Sequence, residues 1–353
     1  MKAIAALRRL RALYRAAYSH KMYKKVAYVD GKYYLQVYGP AVPSRLMEQV
    51  QADEINRAFP FDEHRSLRVV LLAITTKCPL NCEHCFEWHN LGRAEEMTKD
   101  DLLKIIADYQ DYGTSQIVFG GGEPMIRFKD LIYLLQNSGT DSDFWMYTSG
   151  LLLDRDRARK LKSAGLRGVM VSLDNHIPAA HDAFRGKSGM YEQAIKAAQS
   201  AISEGLVTGL ALCPKREYAT RENIGAYMEV ARSLGVAFVQ ILEPRNAGRY
   251  MDKDVQLNME QTGMLDSLMD EYNSRSKYRS YPIIRSPNSV KRRIGCVAGD
   301  RGLYINSLGE IQKCPFCAKS YGNALEHDPA SVLNEMRSQA CPAVRSEMLE
   351  AIQ

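Results

Sequence analysis

Along the middle of the chain, short continuous apolar runs alternate with stretches whose apolar residues recur every three to four positions. The runs predict strands at Arg68 to Thr75, Gln116 to Phe119, Phe144 to Tyr147, Gly168 to Ser172, Val207 to Leu212 and Phe238 to Leu242. The stretches between them predict helices at Lys99 to Tyr109, Phe128 to Gln136, Arg155 to Ala164, Tyr191 to Glu204 and Glu222 to Leu234. Strand and helix in strict turn imply an α/β fold whose parallel sheet is built through right-handed crossovers. Upstream, Ala3, Leu7, Leu10, Tyr14 and Ala17 keep helical spacing, with Arg8, Arg9, Arg11 and Arg15 on the remaining surface, which predicts a basic amphipathic helix. Val26 to Tyr38 then alternates around Asp30-Gly31, a pair that favours a tight hairpin, and Ser44 is placed to cap a helix from Arg45 to Ala58. Near the other end, Leu303 to Lys313 reads as a second hairpin turning at Ser307-Leu308-Gly309.

These changes of pattern divide the chain into an N-terminal α+β extension (1–65), a central α/β unit (66–290) and a small C-terminal unit (291–353). The length, 353 residues, is ample for one large domain with appendages, and 46% apolar and 25% charged residues are ordinary for a globular protein. The longest aliphatic run, Val69 to Ile74, is far too short to cross a bilayer. Met1 to Lys25 is basic without one acid, yet it lacks the apolar block and cleavage site of a secretory signal. Its helix has three competing uses: packing on the protein itself, contact with an anionic membrane surface, or a grip on an acidic partner such as a peptide leader. Eight cysteines, most of them in tight groups, suit metal ligation in a reducing compartment, so a cytoplasmic protein is expected.

The first group is Cys78-Pro-Leu-Asn-Cys82-Glu-His-Cys85-Phe86, directly after the first predicted strand. Three thiolates on one loop hold three corners of a four-iron cluster and leave the fourth iron open to an exogenous ligand. The competing reading is a structural zinc ion completed by His84 or His89. After the second strand comes Gly120-Gly121-Gly122-Glu123-Pro124, where glycines either bring the backbone close to a ligand or merely make a strand-to-helix turn.

Cys-X3-Cys-X2-Cys followed by an aromatic resembles the signature of the radical S-adenosylmethionine (SAM) superfamily, and Gly-Gly-Glu-Pro one unit later resembles its SAM-binding element. The resemblance covers roughly residues 66–250 and implies a partial (β/α)6 barrel with ligands at the carboxyl ends of the strands. It implies that Cys78, Cys82 and Cys85 bind a [4Fe-4S] cluster. The resemblance further implies that SAM chelates that cluster's open iron and is cleaved by one electron to methionine and a 5'-deoxyadenosyl radical, which abstracts a substrate hydrogen. Gly121, Gly122, Glu123 and Pro124 would then face SAM, with Phe86 behind the cluster. Ser149 stands in Thr148-Ser149-Gly150 where relatives often carry Thr-Asn-Gly. Ser172 and Asp174 fall where ribose is bound, and Arg185 is placed either for a carboxylate or as a solvated helix residue. After the sixth strand, Arg245 and Arg249 either close on an anion or are solvated.

Cys213, alone at the end of the fifth strand, is either a packing residue or a hydrogen-atom donor to a substrate radical. Cys314-Pro-Phe-Cys317 looks like a glutaredoxin site in isolation, but it follows a hairpin. With Cys296, Gly309 and Cys341 it resembles the shortened SPASM extension called twitch, which implies one auxiliary [4Fe-4S] cluster; a four-cysteine zinc site competes. The expected activity is oxidative or cross-linking modification of a peptide, with a small-molecule dehydrogenase or epimerase as the alternative, both served by an external one-electron reductant of flavodoxin or ferredoxin type. A zinc-stabilised nucleic-acid-binding or adaptor protein is the non-enzymatic alternative for a chain of net charge +6. No groove-reading motif supports it, so no nucleic acid is expected.

Overall fold

The computed structural model describes residues 25–58, 66–95 and 97–339. The predicted basic helix before Lys25 and Cys341 lie outside the described residues. Two strands, β1 (Ala27–Val29) and β2 (Lys32–Tyr34), form the expected hairpin, with Asp30 and Gly31 both at positive φ (50° and 74°) as a two-residue turn demands. Helix α1 (Arg45–Ala58) begins where expected, its Met47 N–H donating to the Ser44 hydroxyl at 3.1 Å.

The central unit is a run of parallel strands: β3 (Val69–Ala73), β4 (Gln116–Gly120), β5 (Asp143–Thr148), β6 (Leu166–Ser172), β7 (Val207–Leu212), β8 (Phe238–Ile241) and β9 (Ile283–Arg285). They pair in chain order, so each crossover packs on its neighbour and the sheet curls as a partial barrel. The intervening helices are α2 (Lys99–Asp111), α3 (Phe128–Asn137), α4 (Arg155–Ala164), α5 (Pro178–Arg185), α6 (Met190–Ser203), α7 (Arg221–Leu234), α8 (Met259–Ser274) and α9 (Pro287–Ile294). All six predicted strands and five predicted helices are present, with ends within two residues of those read from the pattern. The seventh unit, α8 and β9, escaped that reading because β9 is three residues long and carries no period to detect.

Each strand is apolar on both faces, as burial from both sides requires. Ile117, Phe119, Val169, Val171, Val239 and Ile241 turn outward to the helices, whereas Val118, Trp145, Met170, Val207 and Phe238 turn inward. The inward set is met not by more barrel but by Tyr34, Val37 and Ala41 of the N-terminal extension. Gln116, buried on β4, donates to the Val37 carbonyl at 3.0 Å. The extension therefore closes the end of the barrel at which the strands begin.

The predicted C-terminal hairpin forms from β10 (Gly302–Ile305) and β11 (Glu310–Gln312), turning at Gly309 (φ 82°), and is followed by β12 (Ser320–Asn323) and α10 (Pro329–Ser338). Strand β10 pairs in parallel with β3, Leu303 opposite Val70, so the ten-stranded sheet runs without a break across position 291. Leu303, Ile311, Leu333 and Met336 belong to the same core cluster as Leu72 and Leu102.

Edge strand β9 is tied to α8 by a buried side chain. Asn273 of α8, 1% exposed, donates to the Ile284 carbonyl at 2.7 Å and accepts from its N–H at 3.1 Å. Asn273→Ala leaves both groups unpaired in the interior, so a loss of about 2–4 kcal/mol in urea unfolding is expected. Unfolding at the wild-type midpoint would show that β9 needs no such anchor.

Candidate active site at the strand ends

The cysteine loop leaves β3 with no secondary structure of its own, so its backbone groups must find partners elsewhere. The glycine turn after β4 supplies the first: Gly122 N–H donates to the Thr75 carbonyl and Glu123 N–H to the Lys77 carbonyl, both at 2.8 Å. A Cβ on Gly122 would lie 2.1 Å from the Lys77 oxygen, and one on Gly121 (φ +112°) 2.7 Å from the Thr75 oxygen. These two glycines admit the cysteine loop; only at Gly120 is the space beyond the backbone open. The second brace is the end of α5, where the Arg185 carbonyl accepts from Asn81 N–H (3.1 Å) and the Phe184 carbonyl from Glu83 N–H (3.0 Å). The third is the loop after β8. A Cβ on Gly248 (φ +56°) would lie 2.3 Å from the Cys85 oxygen, and Arg249 N–H donates to that oxygen at 2.9 Å. The Arg249 guanidinium donates to Asn81 O (2.7 Å), Asn81 Oδ1 (2.6 Å) and Cys82 O (3.2 Å) while lying 4.4 Å from the Trp88 ring centre. Arg249 is thus neither solvated nor turned to a ligand.

Glu123 is 1% exposed, and the protein itself supplies its partners. Thr148 Oγ1 (2.7 Å), Met125 N–H (3.1 Å), Ser149 N–H (2.8 Å) and Ser149 Oγ (2.5 Å) all donate to its carboxylate. Burial nevertheless pushes its pKa above the usual carboxylate value. In this arrangement Glu123 ties the end of β4 to the end of β5, and Ser149 serves that tie. Pro124 opens the short 3-10 turn that follows.

Behind the loop lies a buried ion pair, Arg185 to Asp174 at 2.5 Å. Asp174 also accepts from Cys213 N–H at 3.0 Å, and Arg185 Nη1 lies 3.6 Å from Cys82 Sγ. Burial alone would lower the Arg185 pKa, but Asp174 and Cys82 carry it above the usual value. Burial would raise Asp174, and Arg185 outweighs it. His181 and His84 are pushed down to about 4 by burial, so both rings are neutral around that pair at pH 7. Asp174 N–H donates to His181 Nδ1 at 3.0 Å, and the His84 ring stacks on Phe184 at 4.8 Å.

Cys78, Cys82, Cys85, Phe86, the glycine turn, Ser149, Ser172, Asp174, Arg185 and Cys213 all line one cavity of about 440 Å³ in the barrel. Three soft thiols on one wall beside a guanidinium are a donor set fitted to an iron-sulfur cluster with an anionic ligand. Among the described residues no three His, Cys, Asp or Glu side chains converge as they would on a single metal ion. The same cavity is lined by Cys314-Pro315-Phe316, and Phe86 meets Tyr304 and Phe316 edge-on with ring centres 5.8 and 6.0 Å apart. Cys314 and Cys317 lie with their sulfurs 3.1 Å apart in a turn after β11, not at a helix start, while Cys296 is half-buried. The pattern reading missed Gln36, Tyr38, Gln240, Asn288 and Lys291, which also line the cavity. They come from the extension, from the inner face of β8 and from α9, and no local motif marks them.

A family model described as the radical SAM superfamily matches residues 72–224. A "Probable GTP 3',8-cyclase" of Methanococcus maripaludis is 36% identical over 185 residues, which is 51% of this chain and 59% of that protein. The "AdoMet-dependent heme synthase" of Nitratidesulfovibrio vulgaris is 24% identical over 290 residues, 74% of this chain and 77% of that protein. Among solved structures, Streptococcus suis SuiB bound to its precursor peptide SuiA superposes with a TM-score of 0.62 at 14% identity, over 85% of this chain and 72% of that one, a likeness of fold. With its cysteine loop directly after the first barrel strand and the matched segment reaching through the fifth, the chain carries a radical SAM domain over residues 72–224.

Proposed function

We propose that the chain is a SAM-cleaving enzyme whose substrate is a small molecule. The observation that carries this reading is the convergence of Cys78, Cys82 and Cys85 with the Asp174–Arg185 pair on a single cavity closed from below by the N-terminal extension. The three thiolates would hold three irons of a [4Fe-4S] cluster, which when bound supplies the one-electron reduction of SAM. Gly120 leaves open room beside that cluster, while Gly121, Gly122 and Pro124 shape the turn that grips the loop. Glu123 acts as a positioning residue through Thr148 and Ser149. Ser172 and Asp174 offer oxygens toward a ribose, and Arg185 sets the charge beside Cys82.

The peptide expected from the sequence yields first place to the small molecule for two reasons. The curated relatives are named for a cyclase of GTP and for a heme synthase, and Gln36, Val37 and Tyr38 of the extension line the cavity. Cys296, Cys314 and Cys317, with Cys341 as the candidate fourth ligand, would hold an auxiliary cluster that passes an electron or walls the site. An external flavodoxin- or ferredoxin-type donor would reduce the first cluster.

Three outcomes test this reading. Iron-loaded, anaerobically reduced protein should release methionine from SAM, and Cys78→Ala, Cys82→Ala or Cys85→Ala should each abolish that release while removing about one cluster of iron; release that persists in these variants refutes the assignment. Gly248→Ala places a methyl against the Cys85 carbonyl, so the same cluster should be lost from a folded protein, as read by iron content and circular dichroism; full iron occupancy would show that this brace is dispensable. Cys213, whose thiol burial keeps protonated, is competent to return a hydrogen atom to a substrate radical. If the product is an epimer, Cys213→Ala should stop its formation and spare methionine release, whereas an unchanged epimer yield excludes that role.

A further inference from the structure

The charges on the cavity wall do not balance. Glu123 is bonded to Thr148 and Ser149, Asp174 to Arg185, and Glu87 accepts from Tyr304 and Ser307. Glu243 takes Arg292 on both oxygens at 2.8 Å, and Glu54, just outside the cavity, takes Arg68 and Arg301 at 2.8 Å. Every carboxylate of the wall is therefore already engaged. Among the cavity's described cations, Lys313 is bonded to the Gln339 carbonyl, whereas Arg245 and Lys291 have neither an ion pair nor a hydrogen bond from their side chains.

Arg245 follows β8 and Lys291 sits on α9. Both are half-buried, both line the cavity, and both lie within electrostatic reach of Cys314. Two cations paired with no described carboxylate, both lining one cavity and partly removed from water, make a local positive field that low-dielectric walls focus. An arginine fork beside a lysine matches the oxygens of a carboxylate or phosphate. Buried Asn288, one helical turn before Lys291, adds a polar group to the same wall. The remainder is apolar, with Val37, Leu71, Phe86, Leu242, Val290 and Phe316 facing the space.

We propose that Arg245 and Lys291 form an oxyanion-binding subsite that holds a carboxylate or phosphate of a small amphiphilic substrate, its apolar body lying along the lumen. This deepens the small-molecule reading above and rests on it. The charged end would be held beside the C-terminal thiols, and the body would extend toward Cys78 and Cys85.

The test uses the cluster-loaded protein with SAM and two probes that separate the sources of the anion. Iron coproporphyrin III, a porphyrin tetracarboxylate, is followed by its Soret absorbance, and GTP, a triphosphate, by equilibrium dialysis, each over a series of KCl concentrations. At least one probe should bind, more weakly as salt rises. Arg245→Gln and Lys291→Gln should each lower its affinity about tenfold and flatten the salt dependence, and Arg245→Lys should restore most of it. Arg155→Gln, on the outer surface of α4, should change nothing.

Three results overturn the subsite: neither probe binds the wild-type protein, the double Gln variant binds as tightly as wild type, or the double variant shifts the midpoint potential of the C-terminal centre at unchanged probe affinity. The last would mean that the two cations balance thiolate charge instead. Methionine release from SAM, measured on the same preparations, decides the enzyme reading separately, since probe binding needs no reductant.

Discussion

The site depends on one constraint, the need of an irregular loop to satisfy its backbone. Thr75 to Cys85 forms neither helix nor strand, and its carbonyls and N–H groups are taken up by the turn after β4, the end of α5 and the loop after β8. At each brace stands a glycine whose Cβ would collide with loop backbone: Gly122, Gly186 and Gly248. Two of them, Gly186 (φ 67°) and Gly248 (φ 56°), also hold a left-handed conformation that disfavours any side chain. The three braces come from the second, fourth and sixth barrel strands, so the thiols are placed only when the sheet is in register.

The same loop is where the buried charge is spent. Removing a guanidinium and a carboxylate from water costs several kcal/mol each by general estimates, and breaking such a pair costs about 3–5 kcal/mol. The Arg185–Asp174 pair is therefore kept only where both ends do further work. Arg185 reaches Cys82 with its side chain and Asn81 with its carbonyl, while Asp174 fixes the Cys213 N–H. The neighbouring histidines add no third charge, because burial holds both neutral at pH 7. The positive field near Cys82 then comes from one side chain whose position is fixed at both ends.

Much of this was legible in the sequence, for reasons that also explain what was not. Apolar runs of four to seven residues with helical stretches between them could be read directly, which covers β3 to β8 and the helices α2, α3, α4, α6 and α7. The thiol spacing marked the loop because ligand geometry is local. The function of the glycines was not local: Gly121 and Gly122 look like ligand contacts in sequence, yet the groups they accommodate belong to a loop some forty-five residues earlier. Arg249 looked free for the same reason, its partner Asn81 lying 168 positions away; the contact of Arg185 with Cys82, which spans 103, was hidden likewise, although its ion-pair partner Asp174 is near in sequence. Lys291 sits on a helix that follows a strand too short to show a pattern, so nothing in the sequence attached it to the cavity.

The N-terminal extension shows how the two kinds of information combine. Its hairpin and helix were readable, its role was not, since that role lies in contacts with strands far along the chain. Tyr147 donates to Gln240 and accepts from Tyr38 at 2.7 Å, joining the extension to β5 and β8 across the lumen. Arg285 of β9 donates to the Leu35 carbonyl at 3.0 Å. A sheet whose outer strands, β9 and β12, do not pair with each other leaves its lumen open unless something fills it. Here the filler is sequence upstream of the barrel, and because it bonds to polar groups on the inner face of β5, β8 and β9, it sets where the cavity ends. The depth of the cavity is thus set in part by Gln36, Val37 and Tyr38, residues that lie outside the matched segment 72–224.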